Sequence, residues 1–125
     1  MGGSTYRVSV SGEAACLFCR IVGGEIRAEI VHETPTTVAF RDLNPQAPTH
    51  VLVVPRAHAP HAAATARADP RALADLVTAA AAVAADEGLA DGYRLVLNTG
   101  PGAGQTVGHT HLHLLGGRPM GWPPG

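Results

Sequence analysis

Three histidines at alternate positions, His109, His111 and His113, are the side chains of this sequence best suited to chemistry. In an extended strand successive side chains face opposite ways, so the run sets three imidazoles on one face and Leu112 and Leu114 on the other. An imidazole titrates near neutrality and serves as nucleophile, proton carrier or metal ligand. One ion shared by all three is disfavoured by distance. His109 and His113 would stand roughly 13 Å apart at ~3.3 Å per residue, whereas zinc ligands lie about 2 Å from their ion. A pair such as His109 and His111 could share one, but that leaves the third imidazole unexplained. Nucleophilic catalysis accounts for all of them, because the middle residue, His111, has an imidazole on each side. The loop before the run carries Gly100, Gly102, Gly104 and Gly108, whose backbone amides can approach a phosphate closely. Nucleophile and phosphate cradle are adjacent in sequence, as phosphoryl or nucleotidyl transfer requires.

The elements that must position these groups are legible from pattern. Ile30–Glu33 and Thr37–Phe40 are β-rich and separated by Thr34-Pro35-Thr36, which predicts a hairpin opening the domain. Residues 42–48 contain Pro45 and Pro48 and form a loop, after which Thr49–Val54 resumes as a strand ending before Pro55. Asp69 as cap, Pro70 at the first helical position, an apolar stripe of Leu73, Leu76, Val77 and Val83, and Gly88 at the end predict the main helix. Tyr93–Asn98 reads as a fourth strand, and the histidine run as the last. The proline-rich tail ends in Trp122-Pro123-Pro124-Gly125, and its tryptophan is expected to dock as a packing anchor.

A chain of 125 residues holds one domain, expected over residues 14–125 behind a loose Gly- and Ser-rich leader at 1–13. The net charge of −1, with basic residues scattered, gives no footprint for nucleic acid or a membrane surface. No apolar stretch approaches a membrane span of about 20 residues. The first residues show no basic segment followed by an apolar block, so a cytoplasmic location is expected. There the Cys16-x-x-Cys19 pair suggests a metal or redox site rather than a structural disulfide.

From Cys16 to the C-terminus the chain resembles the histidine triad (HIT) proteins, and within them the nucleotide-binding Hint branch. The resemblance rests on Phe40-Arg41-Asp42-Leu43, Pro45-Gln46-Ala47-Pro48-Thr49-His50, Val54-Pro55-Arg56-Ala57-His58, Gly92-Tyr93-Arg94 with Asn98, Gly104-Gln105-Thr106-Val107, the triad, Gly116-Gly117-Arg118 and the Trp-Pro-Pro-Gly ending. It implies an α+β fold with a five-stranded antiparallel sheet, one main helix, and a homodimer in which two sheets join. It further implies hydrolysis of purine nucleoside phosphoramidates. By that likeness His111 attacks the α-phosphorus, His113 contacts phosphate and leaving group, and His50 belongs to the proton relay. Asn98, Gly104, Gln105 and Thr106 would bind phosphate, with Thr106 standing where the family often has serine. Asp42 would accept from the ribose hydroxyls and Leu43 would lie against the base. Relatives that carry the cysteine pair include zinc binders, so Cys16, Cys19, His58 and His109 would make a tetrahedral structural zinc site that the chemistry itself does not require. Gly108 stands where Hint proteins often have tyrosine, and His32 and His61 match no family role. Two alternatives stay open: a purine nucleotide-binding module with little turnover, and a dinucleoside polyphosphate hydrolase or nucleotide transferase on the same fold.

Overall fold

The computed structural model describes residues 15–125, so the expected leader at 1–13 lies outside the described residues. A short helix α1 (Leu17–Val22) precedes strands β1 (Ile30–Glu33), β2 (Thr37–Arg41) and β3 (Thr49–Pro55). Helices α2 (Ala62–Ala68) and α3 (Pro70–Asp86) follow, then β4 (Tyr93–Val96), a 3-10 turn (Pro101–Ala103) and β5 (Leu112–Gly116). The strands form one antiparallel sheet in the order β1-β2-β3-β5-β4. This is the α+β architecture the resemblance implies.

The hairpin forms as expected because the Thr34 hydroxyl accepts from the Thr36 and Thr37 amides at 3.2 and 2.9 Å, closing the turn over Pro35. It does not open the domain, since α1 comes first. The main helix starts as read: Pro70 occupies its first turn, and the Asp69 carboxylate caps it by accepting from the Arg71 amide. Its buried face is Leu76, Ala79, Ala80, Val83 and Ala84, whereas Val77, placed in the apolar stripe from sequence, is 47% exposed. At 100° per residue Val77 falls one step round the helix from Leu76 and leaves the core face.

Strand alternation sorts the sheet into two faces. Ala39, Val51, Val53, Leu112 and Leu114 pack on α3. Val38, Phe40, Leu52 and Val54 pack with Cys16 and Phe18 on the opposite side, where α1 lies. His50 and His113 share the parity of Leu52 and of the α1 face, so the period that builds the core also aims both imidazoles at the site. Burying each Leu or Val is worth about 1.5–3 kcal/mol. The Arg41 guanidinium makes a two-pronged pair with Glu87 at 3.1 and 3.0 Å, joining β2 to the end of α3. No helix among the described residues is long and apolar enough to cross a membrane.

Three expectations about extent change. β3 runs through Pro55, which pairs with Thr37, and β4 stops at Val96, leaving Asn98 in the following loop. The histidine run is not one continuous strand: only His113 lies in β5. The ladder between β3 and β5 begins at Val53 and Leu112. Ahead of it the Thr110 amide donates to the Ala59 carbonyl at 2.8 Å and its hydroxyl to the same carbonyl at 3.1 Å. These bonds draw residues 109–111 off the sheet. The tail also differs from expectation. Trp122 is 84% exposed, so within a single chain it anchors nothing.

Candidate active site and metal centre

Leaving the ladder early gives each triad histidine its own environment. His109 is fully buried, and its Nε2 lies 2.9 Å from the Pro55 carbonyl oxygen. A carbonyl only accepts, so Nε2 carries the proton and the Nδ1 lone pair faces the other way. There it meets Cys16 Sγ at 3.4 Å, Cys19 Sγ at 3.4 Å and His58 Nδ1 at 3.1 Å, while Cys19 Sγ lies 3.3 Å from His58 Nδ1. All four donor atoms fall within 4.8 Å of one another.

A tetrahedral ion held at about 2.0 Å from nitrogen and about 2.3 Å from sulfur sets donor-to-donor edges of roughly 3.3–3.8 Å. The observed separations come close to this, and the second-nitrogen bond to Pro55 fixes the ligating tautomer of His109. The Cys19 amide donates to Cys16 Sγ at 3.4 Å, which orients the sulfur. The four residues therefore fit a metal ion; the Cys-x-x-Cys spacing suggested the two thiols, and the family resemblance implied the two imidazoles.

His111 turns away from that cluster. Its Nδ1 lies 2.8 Å from the carbonyl oxygen of His109 and must be the donor, so its free lone pair is on Nε2. The ring is 7% exposed, with its centroid 5.1 Å from that of His113. Phe18 stands edge-on to both His109 and His111, with centroids 6.0 and 5.0 Å apart, and separates the metal cluster from the cleft. Sequence reasoning did not select Phe18. The signal was its place between the two cysteines, on a helix whose buried residue it is.

Behind His113 runs a hydrogen-bonded line. The Gln46 amide donates to His50 Nδ1 at 3.0 Å, which leaves the proton of His50 on Nε2. That proton faces His113 Nδ1 at 2.9 Å and, more distantly, Asp42 Oδ2 at 3.4 Å. His113 thus accepts at Nδ1 and carries its own proton on Nε2. Burial, reinforced by the neighbouring His111 and His50, pushes the His113 pKa down to about 4, so at neutral pH the ring is uncharged. Burial also lowers His50, partly offset by the Asp42 carboxylate.

His111 and His113 line a cleft of about 270 Å³ with Leu17, Phe18, Ile21, Ile26, Phe40 and Leu52 as its apolar wall, and His50 lies behind it. Asp42, Leu43, Thr106, His111 and His113 all border it, and Leu43 is fully exposed at its rim. A larger recess of about 630 Å³ between residues 88–94 and 117–120 contains no histidine or cysteine. The other residues expected at the phosphate, Asn98, Gly104 and Gln105, are not among those lining the cleft. The Gln105 amide nitrogen donates to the Pro60 and Val107 carbonyls at 2.6 and 2.9 Å, and its oxygen accepts from the Gly100 amide at 2.8 Å, so the side chain latches the loop. Gly104, at φ 93°, and Asn98 do not border the cleft. Arg27, not singled out from sequence, does border it. His61 also has a role the sequence did not suggest, its Nδ1 accepting from the Ala64 amide at the start of α2.

Comparison with known proteins agrees with this arrangement. Residues 23–120 match the HIT domain family. The chain is 45% identical to the purine nucleoside phosphoramidase of Escherichia coli over 84% of its own length and 89% of that protein. It is 46% identical to a 14 kDa zinc-binding protein of Zea mays, over 90% of each. A HIT family hydrolase from Legionella pneumophila superposes with a TM-score of 0.84 at 50% identity, covering 88% of this chain and 99% of that one. On its sequence, its sheet and the arrangement of its histidines, the chain belongs to the HIT domain family.

Proposed function

We propose that the protein hydrolyses purine nucleoside phosphoramidates through a covalent nucleotidyl-histidine intermediate on His111. The observation that carries this reading is the 2.8 Å bond from His111 Nδ1 to the His109 carbonyl, which commits one ring nitrogen and leaves the other with a lone pair. In the first step a bond forms between His111 Nε2 and the α-phosphorus while the phosphorus–amine bond breaks. The departing nitrogen takes the Nε2 proton of His113 and leaves as the neutral amine, and the attacking water returns a proton to the same ring nitrogen. The water displaces His111 and releases the nucleoside monophosphate. Splitting the reaction in this way lowers each barrier.

The Thr106 hydroxyl takes a phosphate oxygen, with the loop of Asn98, Gly104 and Gln105 holding it from behind. Asp42 accepts from the ribose diol and Leu43 closes over the purine. The E. coli relative's activity supports this substrate class. Cys16, Cys19, His58 and His109 hold a structural zinc ion, a reading supported by the donor geometry and the maize relative. The working unit is a homodimer formed at the open edge of β4, where Tyr93 is exposed. Its location is the cytoplasm, where the thiol pair stays reduced.

The test is a rapid quench with adenosine 5'-monophosphoramidate followed by intact-mass measurement. An adduct of one nucleotidyl group is expected on the native chain and none on His111→Ala, with turnover lost. An adduct on the Ala variant overturns the assignment, and tight AMP binding with no adduct and no turnover makes the protein a binding module instead.

A further inference from the structure

The geometry points to a second metal site inside the cleft, in which Asp42, His50 and His113 hold a divalent transition-metal ion that excludes the nucleotide. The donor atoms are already gathered: His50 Nε2 lies 2.9 Å from His113 Nδ1 and 3.4 Å from Asp42 Oδ2, and the three fall within 4.8 Å of one another. Two imidazoles and a carboxylate form the three-residue donor set of an open zinc site, in which nitrogen and oxygen ligands lie at about 2.0–2.2 Å.

Each donor is also held in place from behind. The Gln46 amide fixes His50 through Nδ1, and His113 is pinned in β5 between Leu52 and Val96. Asp42 Oδ1 accepts from the Asn44 amide at 2.8 Å, which turns Oδ2 toward His50. Pre-oriented ligands spare an incoming ion the cost of assembling its site. The ion takes the place of the His50 Nε2 proton, which passes to solvent.

This site shares no residue with the cysteine cluster. With no thiolate it selects borderline ions such as zinc, cobalt and nickel over soft ones. Its regulatory consequence rests on the proposed function: an ion there takes up the Asp42 carboxylate that accepts from the ribose, so free ion inhibits hydrolysis in competition with substrate.

Equilibrium dialysis of the full chain against zinc at neutral pH tests this, with cobalt titration as a second readout. Two equivalents are expected on the native chain. Asp42→Asn and His113→Asn should each weaken the second by at least about tenfold while leaving the first. With cobalt, the first equivalent carries an intense sulfur-to-metal band, and the second adds only weak ligand-field absorption that disappears in Asp42→Asn. A single equivalent on the native chain overturns the proposal, as does a second equivalent that survives both substitutions. AMP should displace the second ion. An ion that binds as described but is untouched by AMP leaves the metal site standing and removes the nucleotide from this cleft, so the two readings fail separately.

Discussion

The nucleophile candidate His111 is oriented by the backbone of a metal-cluster residue: its Nδ1 donates to the carbonyl oxygen of His109 at 2.8 Å, while the His109 ring faces Cys16, Cys19 and His58. Two residues in sequence connect the cluster of two cysteines and two histidines to the proposed nucleophilic nitrogen. Stripping the metal with a chelator, or replacing Cys19 by Ser, is therefore expected to loosen both. The melting temperature should fall and kcat should drop by about tenfold, since small misplacement of a reacting group costs 10²-fold or less. Parallel calorimetry and steady-state kinetics check this. Full activity in a metal-free, destabilised protein would uncouple the cluster from the nucleophile.

In the proposed mechanism His50 acts through His113, whose Nδ1 lies 2.9 Å from His50 Nε2. His50→Asn should lower kcat by roughly 10²-fold, the range for a proton-transfer partner, with little change in KM. A rise in KM at constant kcat would make His50 a binding residue.

Glu87 links acidity to stability. Hydrogen bonds from the Arg41 guanidinium hold its carboxyl below the ordinary value of 4.5. The folded state then binds this proton more weakly than the unfolded chain, so the contribution is complete above 4.5 and lost as pH falls below it through the folded value. Glu87→Gln should cost about 1 kcal/mol at neutral pH, because the pair is partly exposed, and should flatten the acid limb of urea-unfolding stability. An unchanged acid limb would show that other carboxylates set it.

Gly116 leaves no room for a side chain. A Cβ there would stand 2.6 Å from Leu89 Cδ1 and 2.9 Å from Cδ2. Gly116→Ala is expected to cost about 1–3 kcal/mol by overpacking, and Leu89→Ala in the same chain to return part of it. Denaturant midpoints of the single and double variants measure the coupling. Purely additive losses would place the strain elsewhere.

Period-2 alternation and helix punctuation made much of the fold readable: the β1–β2 hairpin, the capped start of α3 at Asp69-Pro70, and Leu112 and Leu114 on the core face. The two short helices were not. Leu17–Val22 is too short to form on its own and exists because Phe18 is buried against Phe40. Ala62–Ala68 has no apolar stripe and begins at a histidine rather than at a common capping residue.

Residue types and spacing alone singled out the three alternating histidines and the cysteine pair, and the motifs shared with the HIT proteins added His50, His58 and Asp42. What each does was decided only in three dimensions, because the partners of an imidazole come from distant segments. The Pro55 carbonyl fixes the tautomer of His109, the His109 carbonyl that of His111, and His50 with Gln46 that of His113. In the same way the Gln105 side chain became a latch, since carbonyl and amide groups of the folded backbone claimed its hydrogen bonds. Local periodicity is written in the chain, whereas the direction of a lone pair depends on contacts that form only when the sheet closes.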